Sequence, residues 1–412
     1  MKAIVVSLLL LSLRLASVFL VRTWFVPDEL FQSVEVAHRA VFAVGHLTWE
    51  WRQSLRSVIH PSFIAFAYYL LHFFGVDSNF AIIFIPRLIH VILFAISDMC
   101  FLKIAKHILS PLEARYALFS YVTCWFVWYC APRTLSNSLE TALSLIALRW
   151  YPFGSVDRRC WPYMTIGAVT ILIRPTAILL WVPLGFWHFM RSNSRCSLIL
   201  MTCLPAMLPV VVAAFALDSL AYGRYTLSAW NFAKFNVFEG GSAHFGVHPW
   251  HWFFLQGIPS VLTVQLIPII GGAVMALRWR RVTLVPLVIS LFYIIFHSCL
   301  AHKEHRFLLP VIPLLSIYAG YFFGYLTRYG DRVIRCLLII LLLLVNIPLA
   351  VYTGLYHQIG PFTASDFIAK HAMITFGKNK HFNVLQLMPC YSMPQYSHMH
   401  GLNCTLRALD CS

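Results

Sequence analysis

Apolar residues in this chain arrive in long unbroken runs, and the run 336–354 (CLLIILLLLVNIPLAVYTG) is typical of them. Such a run has no stable place on a water-exposed surface, and it lacks the in–out alternation that strands of a membrane barrel carry. Its length suits the roughly 20 residues that an α-helix needs to cross the hydrocarbon core. Short polar punctuation separates each run from the next. Composition agrees: 60% of the 412 residues are apolar and 11% are charged, against about 45–50% and about 25% in soluble domains. The fold class expected is an all-α polytopic membrane protein.

Charge between the runs sets a topology. Lys and Arg outnumber Asp and Glu by 31 to 15. In a soluble chain that excess would suggest a nucleic-acid partner; in a membrane chain it gathers in cytoplasmic loops and fixes orientation, and no nucleic acid is expected. The first run, 4–21, reads as an uncleaved span, because no small-residue cleavage site precedes Phe25 and Arg14 interrupts it. Further spans are expected near 80–102, 116–131, 139–152, 161–175, 176–190, 197–217, 258–277, 282–301, 307–326 and 336–354. Every second connection then carries unopposed Lys or Arg: Lys103, Lys106 and Arg115; Arg158 and Arg159; Arg191 and Arg195; Arg278, Arg280 and Arg281; Arg328, Arg332 and Arg335. About eleven spans result, with the N-terminus cytoplasmic and the C-terminus lumenal. The apolar stretch 58–75 is not counted, since counting it inverts every later loop; it is expected on the lumenal face as an interfacial or re-entrant helix. Residues 1–356 form the multi-span domain, with lumenal loops at 22–79 and 222–257, and 357–412 form a lumenal C-terminal segment.

The loops on the face opposite the basic connections collect the polar chemistry. Asp28 and Glu29 open PDELFQSVEVAHRAVF. Acids behind a proline suit a helix N-terminus on structural grounds alone. A carboxylate at the membrane border can equally serve as a general base toward a hydroxyl. In an α-helix Asp28, Gln32 and Glu35 share one face. Trp49 and Glu50, in HLTWEW, suit either interfacial anchoring or a sugar platform with an acid for hydroxyls. Arg133 and Arg174, at span ends, either snorkel or clamp a phosphate bidentately. HKEHRF (302–307) crowds His302, Lys303, Glu304, His305 and Arg306 between two spans, which is costly unless the groups pair or work; this favours anion binding. In HPWHW (248–252), His248 and His251 lack a third ligand for a metal, and with Trp250 they read as substrate wall. There is no P-loop, no GxGxxG and no DxD in these loops, so neither a cofactor nor a metal-held nucleotide sugar is indicated. A lipid-linked donor would need cations and a membrane groove.

Six stretches in order, FVPDELFQSVEVAHRAVFAVGHLTWEWRQSLRS, WYCAPRTLSNSLET, IRPTAILLWVPL, SAWNFAKFNVF, HPWHWFFLQGIP and HKEHRFLLPVIP, together resemble glycosyltransferase family 22 over nearly the whole chain. Within it they look most like the members that add the third mannose to the GPI-anchor precursor. The resemblance implies a glycosyltransferase C-type fold in the endoplasmic reticulum membrane, its lumenal loops bearing amphipathic helices. It implies dolichyl-phosphate mannose as donor, the GPI glycolipid precursor as acceptor, inversion to an α1,2 linkage, and no metal, cofactor or obligate protein partner. Carried onto this chain, Asp28 becomes the base with Glu29 beside it. Arg133, His302, Lys303 and Arg306 fall near the donor phosphate. Gln32, Glu35, Trp49, Glu50, His248, Trp250 and His251 line the substrates. The chain departs from many relatives in having Val26 rather than His before Pro-Asp-Glu, and similar enzymes carry a longer lumenal tail beyond the position of Ser412. Other lipid-linked mannosyltransferases, acting on a dolichol oligosaccharide or a fourth GPI mannose, share these features. A transporter would be expected to show inverted repeats. Of the eleven Cys, Cys390, Cys404 and Cys411 fall in the polar tail, where two of them can bridge, and Asn403-Cys404-Thr405 is a glycosylation sequon.

Overall fold

The computed structural model describes residues 2–154, 160–377 and 380–409; Arg158, Arg159 and Cys411 lie outside the described residues. Helices occupy each stretch expected to span: α1 (Lys2–Leu20), α2 (Glu35–Phe42), α3 (Ile59–Phe73), α4 (Asn79–Ile108), α5 (Pro111–Thr123), α6 (Trp125–Cys130), α7 (Ser136–Leu148), α8 (Trp161–Ile173), α9 (Ile178–Arg191), α10 (Leu204–Tyr222), α11 (Leu266–Trp279), α12 (Val285–Cys299), α13 (Ile312–Arg328), α14 (Arg332–Leu355) and α15 (Gly360–Phe376). Among the described residues, five helical stretches are long and apolar enough to cross a membrane by length and composition, and three shorter apolar helices accompany them. The total of eleven crossings therefore remains a reading of charge. The stretch 58–75 is helical as α3, but its 15 residues span only about 22 Å, short of the roughly 30 Å core. One side of α3 is buried through Ile64 and Tyr68, and Phe63, Phe66 and Phe73 remain exposed.

Helix α13 runs through the centre of the bundle, with 89% of its apolar window buried. Its glycines permit this. A Cβ on Gly320 would stand 2.5 Å from the Glu113 carbonyl oxygen of α5, and one on Gly272 of α11 would stand 1.9 Å from the Tyr318 oxygen of α13. Small residues thus let three backbones approach closely, the usual way helices pack in lipid. Arg14, which interrupts the first run, is matched inside the bundle: its Nε and Nη2 donate to the Asp98 carboxylate of α4 at 2.8 and 3.0 Å. A bidentate pair of this kind makes an intramembrane charge tolerable.

Two breaks interrupt the helices. At Cys124 the backbone turns extended between α5 and α6, and the freed Trp125 N–H donates to Asn346 Oδ1 of α14 at 3.0 Å. At Arg174 it turns extended between α8 and α9, as a proline at 175 demands of the residue before it. The C-terminal segment departs from the all-helical expectation: after α15, β1 (Phe382–Gln386) pairs in parallel with β2 (Cys404–Ala408), Phe382 opposite Cys404. Cys390 is disulfide-bonded, and Cys404 is free.

Candidate active site

Pro27 starts the first-loop helix, its carbonyl accepting from Leu30 N at 3.1 Å and Phe31 N at 3.0 Å. Consecutive helical residues point about 100° apart around the axis, so Asp28 and Glu29 meet different neighbours. Asp28 Oδ2 accepts from Arg306 Nη1 at 2.5 Å, across 278 residues of sequence. Arg306 also donates to both Glu304 oxygens, at 2.7 and 2.6 Å, and His302 Nε2 lies 2.7 Å from Glu304 Oε1. Burial alone would raise the Glu304 carboxyl, but Arg306 and His302 outweigh it and hold the group well below the usual carboxylate range. The paired acid of the first loop and the cation-rich hexapeptide therefore meet at one end of the bundle. Asp28 keeps 25% of its side chain exposed, enough for a ligand to reach it.

A second ionic pair borders the first. Glu50 accepts from Arg56 Nη2 at 2.7 Å and from Gln32 Nε2 at 3.2 Å. Burial opposes the Arg56 charge, yet Glu50 and then Asp28 more than offset it and raise its pKa; Arg306 is close enough to oppose. Arg56 thus stands within electrostatic reach of Asp28 and Arg306. Sequence reasoning did not single it out, because nothing in its spacing marks it; neither did it assign a role to Glu304. Trp49 packs against Phe235 and Phe245 of the 222–257 loop, with ring centroids 5.4 and 6.0 Å away. That loop is drawn toward the hexapeptide by Phe245 against His302 and Trp252 against His305. His248 stacks on Trp252 at 5.0 Å, and Trp250 meets His251 edge-on at 5.6 Å while staying 70% exposed. The Nδ1 atom of His302 is buried without a hydrogen-bond partner among the described residues. No three His, Cys, Asp or Glu side chains converge there as metal ligands would.

Four sequence assignments give way to the geometry. Arg133 is fully buried and its guanidinium is occupied: Nη1 donates to Glu29 Oε2 at 2.5 Å and to Thr23 O at 2.8 Å, Nε to Tyr129 O at 3.0 Å, and Nη2 to Thr23 Oγ1 at 3.1 Å. Four of its five N–H donors are taken within the protein, and the group is closed off from a phosphate by burial. Glu29, its partner, is buried with its carboxylate held by Arg133 rather than beside Arg306; its backbone oxygen further accepts from Ser33 and Thr134. Lys303 is buried and ties the long loop down, donating to His248 O at 2.9 Å and Leu300 O at 2.5 Å. Glu35 leaves the Asp28 face because Leu30–Val34 forms a wider π-turn, in which each residue advances less around the axis than in an α-helix. It accepts instead from Ser397 N at 3.0 Å and Ser397 Oγ at 2.6 Å, pinning the C-terminal segment, and burial raises its pKa. Arg174 is likewise engaged, 2.9 Å from Glu140.

With this geometry in hand, comparisons with known proteins give a consistent result. Residues 5–400 match the family model described as the Alg9-like mannosyltransferase family. The GPI alpha-1,2-mannosyltransferase 3 of Homo sapiens is 39% identical over 404 residues, 97% of this chain and 71% of the human protein. The GPI mannosyltransferase 3 of Drosophila melanogaster is 36% identical, over 100% of this chain and 72% of its own. Among solved structures, ArnT from Cupriavidus metallidurans bound to undecaprenyl phosphate is similar with a TM-score of 0.70, at 15% identity, covering 98% of this chain and 85% of that one. At that identity the likeness concerns the fold, the glycosyltransferase C-type architecture.

Proposed function

The chain belongs to the Alg9-like mannosyltransferase family, and on that premise we propose that it adds the third, α1,2-linked mannose of a GPI anchor, with Asp28 as general base and Arg306 receiving the departing phosphate. The donor is dolichyl-phosphate mannose and the acceptor is the two-mannose GPI glycolipid precursor. The relatives that carry the GPI mannosyltransferase name support this choice of substrate, and they span most of this chain. The endoplasmic reticulum membrane is the site of action, with the pocket on the lumenal face, opposite the basic connections.

The observation that carries the reading is the Asp28–Arg306 contact, which supports pairing a proton acceptor, a quarter exposed, with a cation for the phosphate. The acceptor hydroxyl attacks the anomeric carbon on the face opposite the phosphate. A new C–O bond forms as the bond to the phosphate oxygen breaks, its electron pair leaving on dolichyl phosphate. The hydroxyl proton passes to Asp28. One displacement inverts a β-linked donor to an α-linked product. The leaving phosphate gains negative charge and needs a cation rather than an acid. Glu304 and His302 brace Arg306 for that task. An incoming donor phosphate competes with Asp28 for the Arg306 guanidinium. As the pair loosens, the Asp28 carboxylate is freed to accept the hydroxyl proton. Arg56 stands ready to share the phosphate charge, and Trp49 with the 222–257 loop walls the sugars.

The test is mannose transfer from dolichyl-phosphate mannose to the two-mannose precursor in microsomes. Asp28→Asn is expected to lower turnover by about 10²–10⁴-fold at unchanged abundance. Near-normal turnover at normal abundance rejects the base assignment.

A further inference from the structure

A separate, partly open cavity lies beyond Glu29 and includes neither Asp28 nor any residue of 302–306. It measures about 180 Å³ and is walled by Arg22, Glu29, Arg87, Phe362, Asp366 and His398. The end of α1, the first-loop helix, the first turns of α4 and the C-terminal segment all contribute to it. A water molecule takes about 30 Å³ of liquid volume, so the space exceeds what one bridging water fills.

The polar atoms facing it are incompletely matched. Arg87 sits inside the apolar helix α4, where an arginine is costly unless paired. Its nearest acid atom is Glu29 Oε1 at 3.8 Å, too far for a hydrogen bond, and the other Glu29 oxygen is held by Arg133 at 2.5 Å. Arg87 Nη2 is buried with no hydrogen-bond partner among the described residues, and so is Nε2 of the 4%-exposed His398. The tautomer of His398 follows from its neighbour. Ser397 Oγ donates to Glu35 at 2.6 Å, so at 3.1 Å it accepts from His398 Nδ1. Nε2 is then a bare acceptor, and burial, which pushes this ring down to about 3, keeps it neutral. With Glu29 matched by Arg133, the wall carries Arg22 and Arg87 against Asp366, a net positive charge. Apolar surface adjoins it: Arg22 Nε donates to the Phe19 carbonyl at 2.8 Å, and Phe19 and Phe80 present exposed rings on either side of Phe84.

We propose that this cavity binds the phosphodiester head of an anionic lipid, with the phosphate on Arg87 and Arg22 and a head-group hydroxyl donating to His398 Nε2. The acyl chains run down the exposed Phe19–Phe84–Phe80 surface. The same phosphate-ester chemistry can come from a membrane phospholipid or from a soluble anion, and the apolar flank favours the lipid. The inference stands apart from mannosyl transfer, and its test does not use that activity.

The full chain, purified in detergent, is titrated with dioctanoyl phosphatidylglycerol, dioctanoylglycerol and inorganic phosphate while thermal unfolding is followed. Dioctanoyl phosphatidylglycerol raises the melting temperature saturably; dioctanoylglycerol does not. Arg87→Gln weakens the apparent affinity by about tenfold or more, the loss of a charge-assisted hydrogen bond. Ile83→Phe, which fills the cavity from its lining and keeps every charge, weakens it as well. That second variant answers for any folding defect of the first. An equal saturable response to inorganic phosphate supports the anion site and assigns it a soluble occupant. Equal responses to the glycerolipid with and without phosphate, or a normal response in Ile83→Phe, overturn the proposal.

Discussion

Arg133→Met removes a guanidinium that is wholly enclosed and leaves the Glu29 carboxylate without its 2.5 Å partner. Arg87, at 3.8 Å, is too far to replace it. Breaking a buried pair by deleting one member costs about 3–5 kcal/mol, roughly two to four powers of ten in a folding equilibrium. The loss should appear as reduced abundance and a lower melting temperature of purified protein. Glu29→Gln combined with Arg133→Met removes the stranded charge, so the double variant should recover part of the loss, with a coupling of about 1–3 kcal/mol. Mannose transfer, normalised to folded protein, should stay near the wild-type level, because Arg133 is wholly buried and spends four of its five N–H groups on Glu29, Thr23 and Tyr129. A stable, abundant Arg133→Met protein with transfer abolished would refute this reasoning and return Arg133 to the donor phosphate.

Three further outcomes follow from the packing and the ion pairs. Lys303→Met frees the His248 and Leu300 carbonyls, so cleavage by protease within 222–257 should accelerate and KM for the acceptor should rise more than kcat falls. Gly272→Ala drives a methyl group into the Tyr318 carbonyl; overpacking of this kind costs about 1–3 kcal/mol, read as lost abundance that Gly185→Ala, where a Cβ would meet nothing within 4 Å, does not cause. His38 Nε2 meets His400 Nδ1 at 2.9 Å, and burial lowers the pKa of both rings below 6.5. The undocked segment then binds more protons, so docking of the C-terminal segment should weaken as pH falls below about 6.5, seen as faster proteolysis after β1. His400→Gln should lessen that slope without abolishing it, since burial also lowers His38 and His398; Glu35, whose raised pKa favours the docked form at lower pH, opposes it.

The membrane class and the meeting of the first loop with HKEHRF were legible in the sequence, because hydropathy and the alternation of basic connections are local signals. That alternation put Asp28 and Arg306 on one face before any distance was known, and the structure brings them into contact. What could not be read was which charge answers which. Arg14 looked like an interruption; its partner, Asp98, is 84 residues away. Arg133 and Glu29 both carried signals of a working site, a charge at a span end and an acid in a first turn, and they satisfy each other instead. Glu35 was misplaced for a geometric reason: an α-helical period was assumed through Leu30–Val34, where the turn is wider. Arg56 became visible only once Glu50 and Asp28 were seen around it.

The central claim is that Asp28 and Arg306 act together on one sugar transfer. A cycle of transfer rates across Asp28→Asn, Arg306→Gln and the double variant, each normalised to folded protein, tests it most directly. Each single variant should lose most of the activity, and the double variant should be little worse than either, as for residues that work as a unit. Losses that simply multiply, or a single variant that turns over donor at the wild-type rate, would contradict it.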